Sequence, residues 1–124
     1  MAIVEQIGSV RYNVTGWEQA KRFWTETIGL PVVWASDEAG WAEFGPAEGC
    51  HIGINRWQGP GPIPHTDAAP TATFYVADAF KTTEELRARG VRCEDVQVVP
   101  GTVALGRFYD PEGNIFGIAG QAPQ

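Results

Sequence analysis

A chain of 124 residues falls within the usual size of one domain and is long enough to bury roughly two-thirds of its unfolded surface. A hydrophobic content of 44% with 11% aromatic residues excludes a disordered chain, and no apolar stretch reaches the roughly 20 residues of a membrane-spanning helix. Fifteen acidic and nine basic residues give a formal net charge of −6, which opposes nucleic-acid binding and favours neutral or cationic small molecules as partners.

The two cysteines, Cys50 and Cys93, match neither a disulfide framework nor a paired metal-binding motif. We expect both to be ordinary thiols, because free cysteine behaves as a small hydrophobic residue. Residues 1–6 lack the basic region and long apolar core of a signal peptide, so the sequence predicts a cytoplasmic protein with no membrane segment.

The first half of the chain predicts the order β-α-β-β-β. Polar and apolar residues alternate over 8–14, as in a half-buried strand, and residues 15–18 read as a capping box with Thr15 as the cap. The helix that follows ends at Gly29. Its apolar stripe consists of Trp17, Ala20, Trp24 and Ile28, with Phe23 beside it. The remaining strands are predicted at 31–36, 41–44 and 50–56.

The second half predicts the same order after a connector. Residues 57–70 are rich in proline and glycine, which sustain neither a helix nor an interior strand. A strand at 71–76 is followed by Asp78 as a helix cap and Gly90 as the helix end. The stripe of this helix is Ala79, Thr83 and Leu86. Further strands are predicted at 94–99, 103–109 and 115–119.

Landmarks in the two halves recur at nearly constant spacing. Phe44 and Phe108 are 64 residues apart, and so are Gly53 and Gly117. The sequence therefore predicts one α+β domain over 1–124 built from two copies of a βαβββ module, the first at about 7–56 and the second at about 71–120.

The same pattern indicates where a ligand would bind. Each helix covers the apolar side of its sheet, because burial there contributes about 25 cal/mol per Å². The opposite, polar sides are left to line a shared hollow with aromatic walls suited to stacking on a ligand. The predicted ligand-binding residues are Ser9, Arg11, Asn13, Trp34, Trp41, Glu43, His51, Asn55, Trp57, Thr73, Tyr75, Arg107 and Tyr109.

Several of these residues have more than one interpretation. His51 suits a ligand contact, a general base, a structural hydrogen bond or, least of all, a metal ligand. Glu43 and Arg107 occupy equivalent positions in the two copies and suit either a structural ion pair or a polar anchor for the ligand. The tryptophans suit either stacking or the filling of a core or subunit interface. The candidates for acid–base catalysis are Glu43, His51 and Tyr109.

Two motifs resemble the vicinal oxygen chelate superfamily, which includes glyoxalase I, extradiol dioxygenases, fosfomycin-modifying enzymes and bleomycin-resistance proteins. They are Ala20-x-x-Phe23-Trp24-x-x-x-Ile28-Gly29 and Phe108-Tyr109-Asp110-Pro111-Glu112-Gly113-Asn114. The resemblance extends from about Gly8 to Ala119. It implies paired βαβββ modules that form a curved half-barrel cleft, usually in a homodimer.

The resemblance also implies where a metal ion would bind in this family. Metal-dependent members use one residue from the first strand and one from the last strand of each module, typically His or Glu. The matching positions here are Ser9, Gly53, Thr71 and Gly117. Glycine has no side chain, and hydroxyls are weak ligands beside imidazole or carboxylate. We therefore expect neither a metal nor a cofactor.

Three functions remain open from the sequence. The first is metal-independent binding of a small aromatic or glycosylated molecule, similar to bleomycin-resistance sequestration, by a homodimer. The second is a metal-independent isomerase, cyclase or lyase that uses acid–base residues of the cleft. The third is a metalloenzyme of the glyoxalase or dioxygenase type.

Overall fold

The computed structural model describes residues 7–65 and 71–123. The chain divides into two compact units, one ending at Pro64 and the other beginning at His65. In its described residues, each unit contains one four-stranded mixed sheet, not closed into a barrel, and one helical segment. The predicted α+β class with two βαβββ modules is therefore confirmed.

The first unit follows the predicted order of elements. In its sheet, β1 lies parallel to β4, and β4, β3 and β2 are antiparallel neighbours, which gives the order β1-β4-β3-β2. The elements are β1 (Ser9–Val14), α1 (Trp17–Arg22) with a π-helical continuation (Phe23–Ile28), β2 (Val32–Ser36), β3 (Trp41–Phe44) and β4 (His51–Arg56).

The start of α1 differs from the prediction. Gly16 is the N-cap and makes no side-chain capping hydrogen bond, so the predicted capping box with Thr15 as the cap is wrong. Glycine costs about 1 kcal/mol inside a helix, which favours Gly16 at the cap over a place in the first turn.

The second half of the first helix also differs from a regular α-helix. Residues 23–28 are π-helical, and the amide of Gly29 donates to the carbonyl of Trp24, five residues earlier. Gly29 has a φ of 90° and ends the helix, as predicted. The stripe residues Trp17, Ala20 and Trp24 are buried, as is Phe23 beside them, whereas Ile28 is only half-buried.

The second unit repeats this arrangement with shorter outer strands. Its sheet has the order β5-β8-β7-β6, with β5 parallel to β8. Strands β5 and β6 are shorter than predicted, and β8 continues two residues further. The elements are β5 (Thr73–Tyr75), α2 (Ala79–Ala88), β6 (Gln97–Val99), β7 (Val103–Tyr109) and β8 (Ile115–Gln121).

Helix α2 begins and packs as predicted. The Asp78 carboxylate accepts hydrogen bonds from the amides of Phe80 and Lys81 at 3.0 and 3.1 Å. The stripe formed by Ala79, Thr83 and Leu86 is buried. A Cβ added at Gly106 on β7 would lie 3.4 Å from the Thr83 hydroxyl. The helix therefore covers the apolar side of the second sheet, where Phe74, Phe108 and Phe116 also pack.

The turn between β7 and β8 is fixed by the buried carboxylate of Asp110. This carboxylate accepts hydrogen bonds from the amides of Glu112 and Asn114 and from the side chain of Asn114. Burial raises the pKa of Asp110 above its ordinary value. These hydrogen bonds hold the turn, and Asp followed by Pro at its first two positions suits a type I turn.

Residues 57–65 of the predicted connector contain neither helix nor strand. Residues 66–70 lie outside the described part, and so does the N-terminal segment 1–6 on which the signal-peptide prediction rests. Of the helices in the described ranges, none has the length and apolar character needed to cross a membrane.

Candidate functional site

Strand register places the predicted residues of the first module on one side of its sheet. Residues paired directly across neighbouring strands point to the same side, and so do alternate residues along a strand. We call this side the polar face of the first sheet. Its rows are Ser9 and His51; Arg11, Gly53, Glu43 and Trp34; and Asn13, Asn55, Trp41 and Ser36.

Two predicted residues of this unit have further contacts. The Asn55 side chain donates to the Asn13 side chain at 3.0 Å, which links neighbouring strands across the polar face. Trp57 lies outside the three rows. Its indole N–H donates to the Gly61 carbonyl at 2.9 Å, and its ring lies against Gly59. The connector therefore holds Trp57, whereas the sheet holds the other candidates.

Glu43 joins two other candidate residues in one cluster. Its Oε2 accepts a hydrogen bond from the indole of Trp41 at 2.8 Å, and its Oε1 lies 3.2 Å from His51 Nδ1. On the other side of the imidazole, Nε2 lies 2.8 Å from the Pro46 carbonyl oxygen. The sequence predicts that these side chains share a face, but it does not predict the contact with Pro46.

The His51 ring lies between two oxygen atoms, one from the Glu43 carboxylate and one from the Pro46 carbonyl. A carbonyl oxygen only accepts hydrogen bonds, and a neutral imidazole has one N–H. The tautomer of His51 therefore decides whether the ring donates to Glu43 or to Pro46.

Gly53 lies beneath the Trp41 indole. A Cβ added at Gly53 would lie 3.1 Å from Cζ2 and 3.3 Å from Cη2 of Trp41, which is tighter than ordinary contact. The glycine therefore allows the indole to lie close to the strand. Trp34, in the row of Gly53, is 50% exposed. Together the two tryptophans provide flat aromatic surface on the polar face.

In the second unit, strand register likewise gathers the predicted residues. We call their side of the sheet the cavity face of the second sheet. Its rows are Thr73, Gly117 and Arg107; Tyr75, Ala119, Leu105 and Gln97; and Tyr109 and Ile115. A cavity of about 550 Å³ opens here, with Thr71, Thr73, Leu105 and Arg107 among its lining residues. Small-molecule pockets typically measure about 300–1,000 Å³.

Glu94 is a residue of this site that the sequence does not single out. Its amide donates to the Arg107 carbonyl, its carboxylate accepts from the Tyr109 hydroxyl, and its Oε2 lies 3.8 Å from Arg107 Nη1. The Arg92 guanidinium lies 3.9 Å from the centre of the Tyr109 ring. The length and path of the loop after α2 determine where Glu94 lies, and no periodic pattern in the sequence predicts that path.

The residues at the four family metal positions do not fit a metal ion. The space above Gly53 is filled by Trp41, and a Cβ at Gly117 would lie 2.9 Å from the Thr73 hydroxyl oxygen. Ser9 and Thr71 offer only hydroxyls. Within each unit's described residues, no group of three His, Cys, Asp or Glu side chains is placed to hold a metal.

Both cysteines are free thiols. Burial raises the pKa of Cys93 above its ordinary value, which disfavours the reactive thiolate. Cys50 is exposed and lies directly before β4. Neither residue belongs to the rows described above.

Comparisons with known proteins agree with this architecture. A solved structure of TnmS3, an antibiotic binding protein from Streptomyces sp. CB03234, matches with a TM-score of 0.79 at 19% identity, over 98% of this chain and 100% of that one. A superfamily member from Sphaerobacter thermophilus DSM 20745 matches with a TM-score of 0.80 at 16% identity, over 97% and 100% of the two chains.

Sequence comparison gives the family itself. The uncharacterized protein YetH of Bacillus subtilis (strain 168) is 30% identical over 121 residues, which cover 92% of this chain and 97% of that protein. The family model of the Glyoxalase/Bleomycin resistance protein/Dioxygenase superfamily matches residues 6–118. The chain with two βαβββ modules described above therefore belongs to the Glyoxalase/Bleomycin resistance protein/Dioxygenase superfamily.

Proposed function

We propose that this protein binds a small organic molecule with a flat aromatic or glycosylated body, and that it does so without a metal ion or cofactor. The proposal rests on one observation: side chains fill the space at two of the positions where metal-dependent members of the family hold their ion. The Trp41 indole lies over Gly53 and the Thr73 side chain lies over Gly117. Stacking and hydrogen-bonding groups thus stand where metal ligands would project.

The open sides of the two sheets support ligand binding in physical terms. Trp34 and Trp41 offer aromatic surface, and stacking on such rings contributes about 0.5–1.5 kcal/mol beyond the burial of apolar area. The cavity of about 550 Å³ has a suitable volume. A protein of the same fold is an antibiotic binding protein, and stoichiometric capture of such a molecule is the form of function that we favour.

The test is a titration of protein dialysed against a chelator with a panel of aromatic and glycosylated natural products. We expect stoichiometric heat of binding and unchanged ligand when the protein is sub-stoichiometric. Trp41→Ala should weaken binding, whereas Phe80→Ala, which removes an exposed aromatic ring from α2, serves as the matched control. A requirement for added Ni, Zn, Fe or Mn would contradict the proposal.

A second candidate function is metal-independent acid–base catalysis, such as an isomerase, cyclase or lyase reaction. The specific observation in its favour is the contact of 3.2 Å between His51 Nδ1 and Glu43 Oε1, on the same face of the sheet as the exposed aromatic surface. A positioned acid or base contributes typically 10²–10⁴-fold in rate. Conversion of a bound compound that collapses in both His51→Gln and Glu43→Gln, with affinity retained, would favour this function over capture.

We also propose that the protein is a homodimer. The outer strand β2 exposes Val32 and Val33, and exposed apolar strand edges tend to be covered by a partner. Light scattering at micromolar concentration should give twice the chain mass of 13.5 kDa. A monomer mass would contradict the dimer. The cytoplasmic location stays a prediction.

A further inference from the structure

We infer that the cavity of the second unit binds the sugar of a glycosylated ligand and recognises it by its neighbouring hydroxyl groups. This inference rests on the proposed function and assigns one part of the ligand to one place in the chain. It comes from the mixture of hydrogen-bond donors and acceptors around the cavity.

Polar side chains make up most of the cavity lining. Six of the ten lining residues carry hydrogen-bonding groups, namely Thr71, Thr73, Glu94, Asp95, Gln97 and Arg107. Ionised carboxylates only accept hydrogen bonds, a guanidinium only donates them, and amides and hydroxyls do both. A ligand hydroxyl also donates and accepts at one atom, so a set of neighbouring hydroxyls can use every kind of group in this lining.

Two neutral groups of the lining lie on opposite sides of the sheet. The Thr73 side chain lies over Gly117, and its hydroxyl oxygen would lie 2.9 Å from a Cβ at that position. The hydroxyl is therefore placed over the central strand β8. Gln97 lies on the outer strand β6, in register with Leu105. Both Thr73 and Gln97 are exposed, so a ligand can reach them.

The charged groups of the lining have contacts within the unit. Asp95 pairs with Arg87 at 2.9 Å, and Glu94 accepts from the Tyr109 hydroxyl and lies 3.8 Å from Arg107. Two acids and one base disfavour an anionic ligand, and the guanidinium next to Glu94 disfavours a cationic one. An ionised carboxylate has about four lone-pair sites, so both acids keep capacity to accept from ligand hydroxyls.

Leu105 supplies apolar surface among these polar groups. It is 41% exposed and lies between Ala119 and Gln97 in its row. A pyranose ring carries C–H groups on its faces and hydroxyls around its rim. Contact between a C–H face and Leu105 leaves the rim hydroxyls for the polar lining, and the cavity of about 550 Å³ has room for such a ring.

The test compares phenyl β-D-glucopyranoside and phenyl β-D-galactopyranoside with 2-phenoxytetrahydropyran, which has the same ring system without the hydroxyls. Titrations followed by the NMR spectrum of isotope-labelled protein give dissociation constants and show where each compound binds. Wild type should bind the better of the two glycosides about tenfold more tightly than the ether, as expected for several added hydrogen bonds. The glycoside should shift the amide resonances of Thr73, Leu105 and Gly117.

Two variants remove single polar groups from the cavity. Thr73→Val keeps the side-chain volume over Gly117 and loses only the hydroxyl, so it should weaken glycoside binding about fivefold and leave the ether unchanged. Gln97→Ala should have a similar effect. Thr82→Val is the matched control, because it removes a hydroxyl on α2 that does not line the cavity. It should bind every compound as wild type does.

Charged sugars test the class of the ligand. The amino sugar and the uronic acid related to the better glycoside replace one neutral group by an ammonium or a carboxylate, and neither should bind more tightly than the neutral compound. Tighter binding of either one would overturn the inference. So would equal binding of glycoside and ether, unchanged affinities in both cavity variants, or no binding of the sugars at millimolar concentration. The proposed function would still stand on its aromatic ligands, which the natural-product panel and Trp41→Ala test separately.

Discussion

The two units share a core and differ on their open faces. At positions 64 residues apart, Phe44 matches Phe108 and Ile54 matches Ile118, and all four are buried. On the other side of the strands the matched residues differ in chemistry. They are Asn13 and Tyr75, Asn55 and Ala119, and Trp41 and Leu105. The first unit presents amides and an indole in the row where the second presents apolar side chains.

Charge differs between the units in the same way. Glu43 and Arg107 occupy matching positions on β3 and β7 with opposite charge. Glu43 contacts His51 and Trp41, whereas Arg107 lies near Glu94. The comparison teaches that burial restrains one side of each sheet, while the other side is free to acquire different ligand contacts.

The largest expected effect comes from breaking the shared core. Phe44 is 1% and Phe108 is 2% exposed, so replacing either by alanine leaves a cavity and should lower the free energy of unfolding by about 3–5 kcal/mol. Urea denaturation measures the loss. Tyr75→Ala, at an exposed position, should change stability by no more than about 0.5 kcal/mol. A loss below about 1 kcal/mol at either phenylalanine would show that the two cores are not equivalent.

A smaller change in stability should distinguish the core of the first unit from that of the second. Ala42 is buried in β3, and Gly106 holds the matching place in β7. A Cβ at Gly106 would lie 2.8 Å from Cγ1 of Ile118, so Gly106→Ala should destabilise by about 1–3 kcal/mol through overpacking. Gly8→Ala, where a Cβ meets no atom within 4 Å, is the control for thermal unfolding. Equal stability of both variants would mean that the Ile118 side chain moves aside without cost.

The helix caps give a third contrast. Asp78→Ala removes the acceptor for two amides at the start of α2 and should cost about 1 kcal/mol, whereas Asp78→Asn keeps an acceptor and should cost only a few tenths. Chemical denaturation distinguishes the two. Because α1 has Gly16 at its cap, the first unit has no corresponding contribution to lose. A loss of similar size in Asp78→Asn would point to the charge of Asp78 and not to its capping bonds.

The smallest effect concerns the pH dependence of stability. Acidification should weaken the stabilising contribution of Asp37 in the first unit and strengthen that of Asp110 in the second. Hydrogen bonds from Lys21 and Trp17 lower the pKa of Asp37 below its ordinary value of 3.8. The contribution of Asp37 to the free energy of unfolding is present above pH 3.8 and is lost as pH falls through the lowered pKa. Burial raises the pKa of Asp110. The contribution of Asp110 to the free energy of unfolding is fully present below pH 3.8 and is lost as pH rises through the raised pKa.

Unfolding free energies at several pH values between about 3 and 7 check both signs. The difference between wild type and Asp37→Asn should shrink on acidification. The difference between wild type and Asp110→Asn should instead shrink as pH rises. Parallel pH profiles for wild type and either variant would contradict the corresponding shift.

The sequence predicts the repeated architecture well because burial is periodic. The bounds of β3 and β7 agree with the prediction, as do the Asp78 cap and the buried stripe of α2. The π-helical segment was not predicted, because a single wide turn at the end of a short helix is too brief to give an apolar period of its own. The start of α1 was misplaced because Thr15 offers a good cap and Gly16 competes for the same role.

The candidate site was predicted as a face and not as a set of contacts. Alternation along β3 and β4 places Glu43, His51 and Trp41 on one side, and the structure has them in contact. The contact between His51 and the Pro46 carbonyl depends on the turn before β4, where Gly45 and Gly49 have positive φ. The position of Glu94 similarly depends on a loop. Such backbone paths have no periodic signature in a single sequence.

The most direct test of metal-independent binding is the NMR spectrum of the indole N–H groups during titration of chelator-dialysed protein with a compound that binds. The account predicts that the resonances of Trp34 and Trp41 shift, with Trp41→Phe used for assignment, while that of the fully buried Trp24 stays in place. Shifts that appear only after a divalent metal ion is added, or that leave Trp34 and Trp41 unchanged, would contradict it.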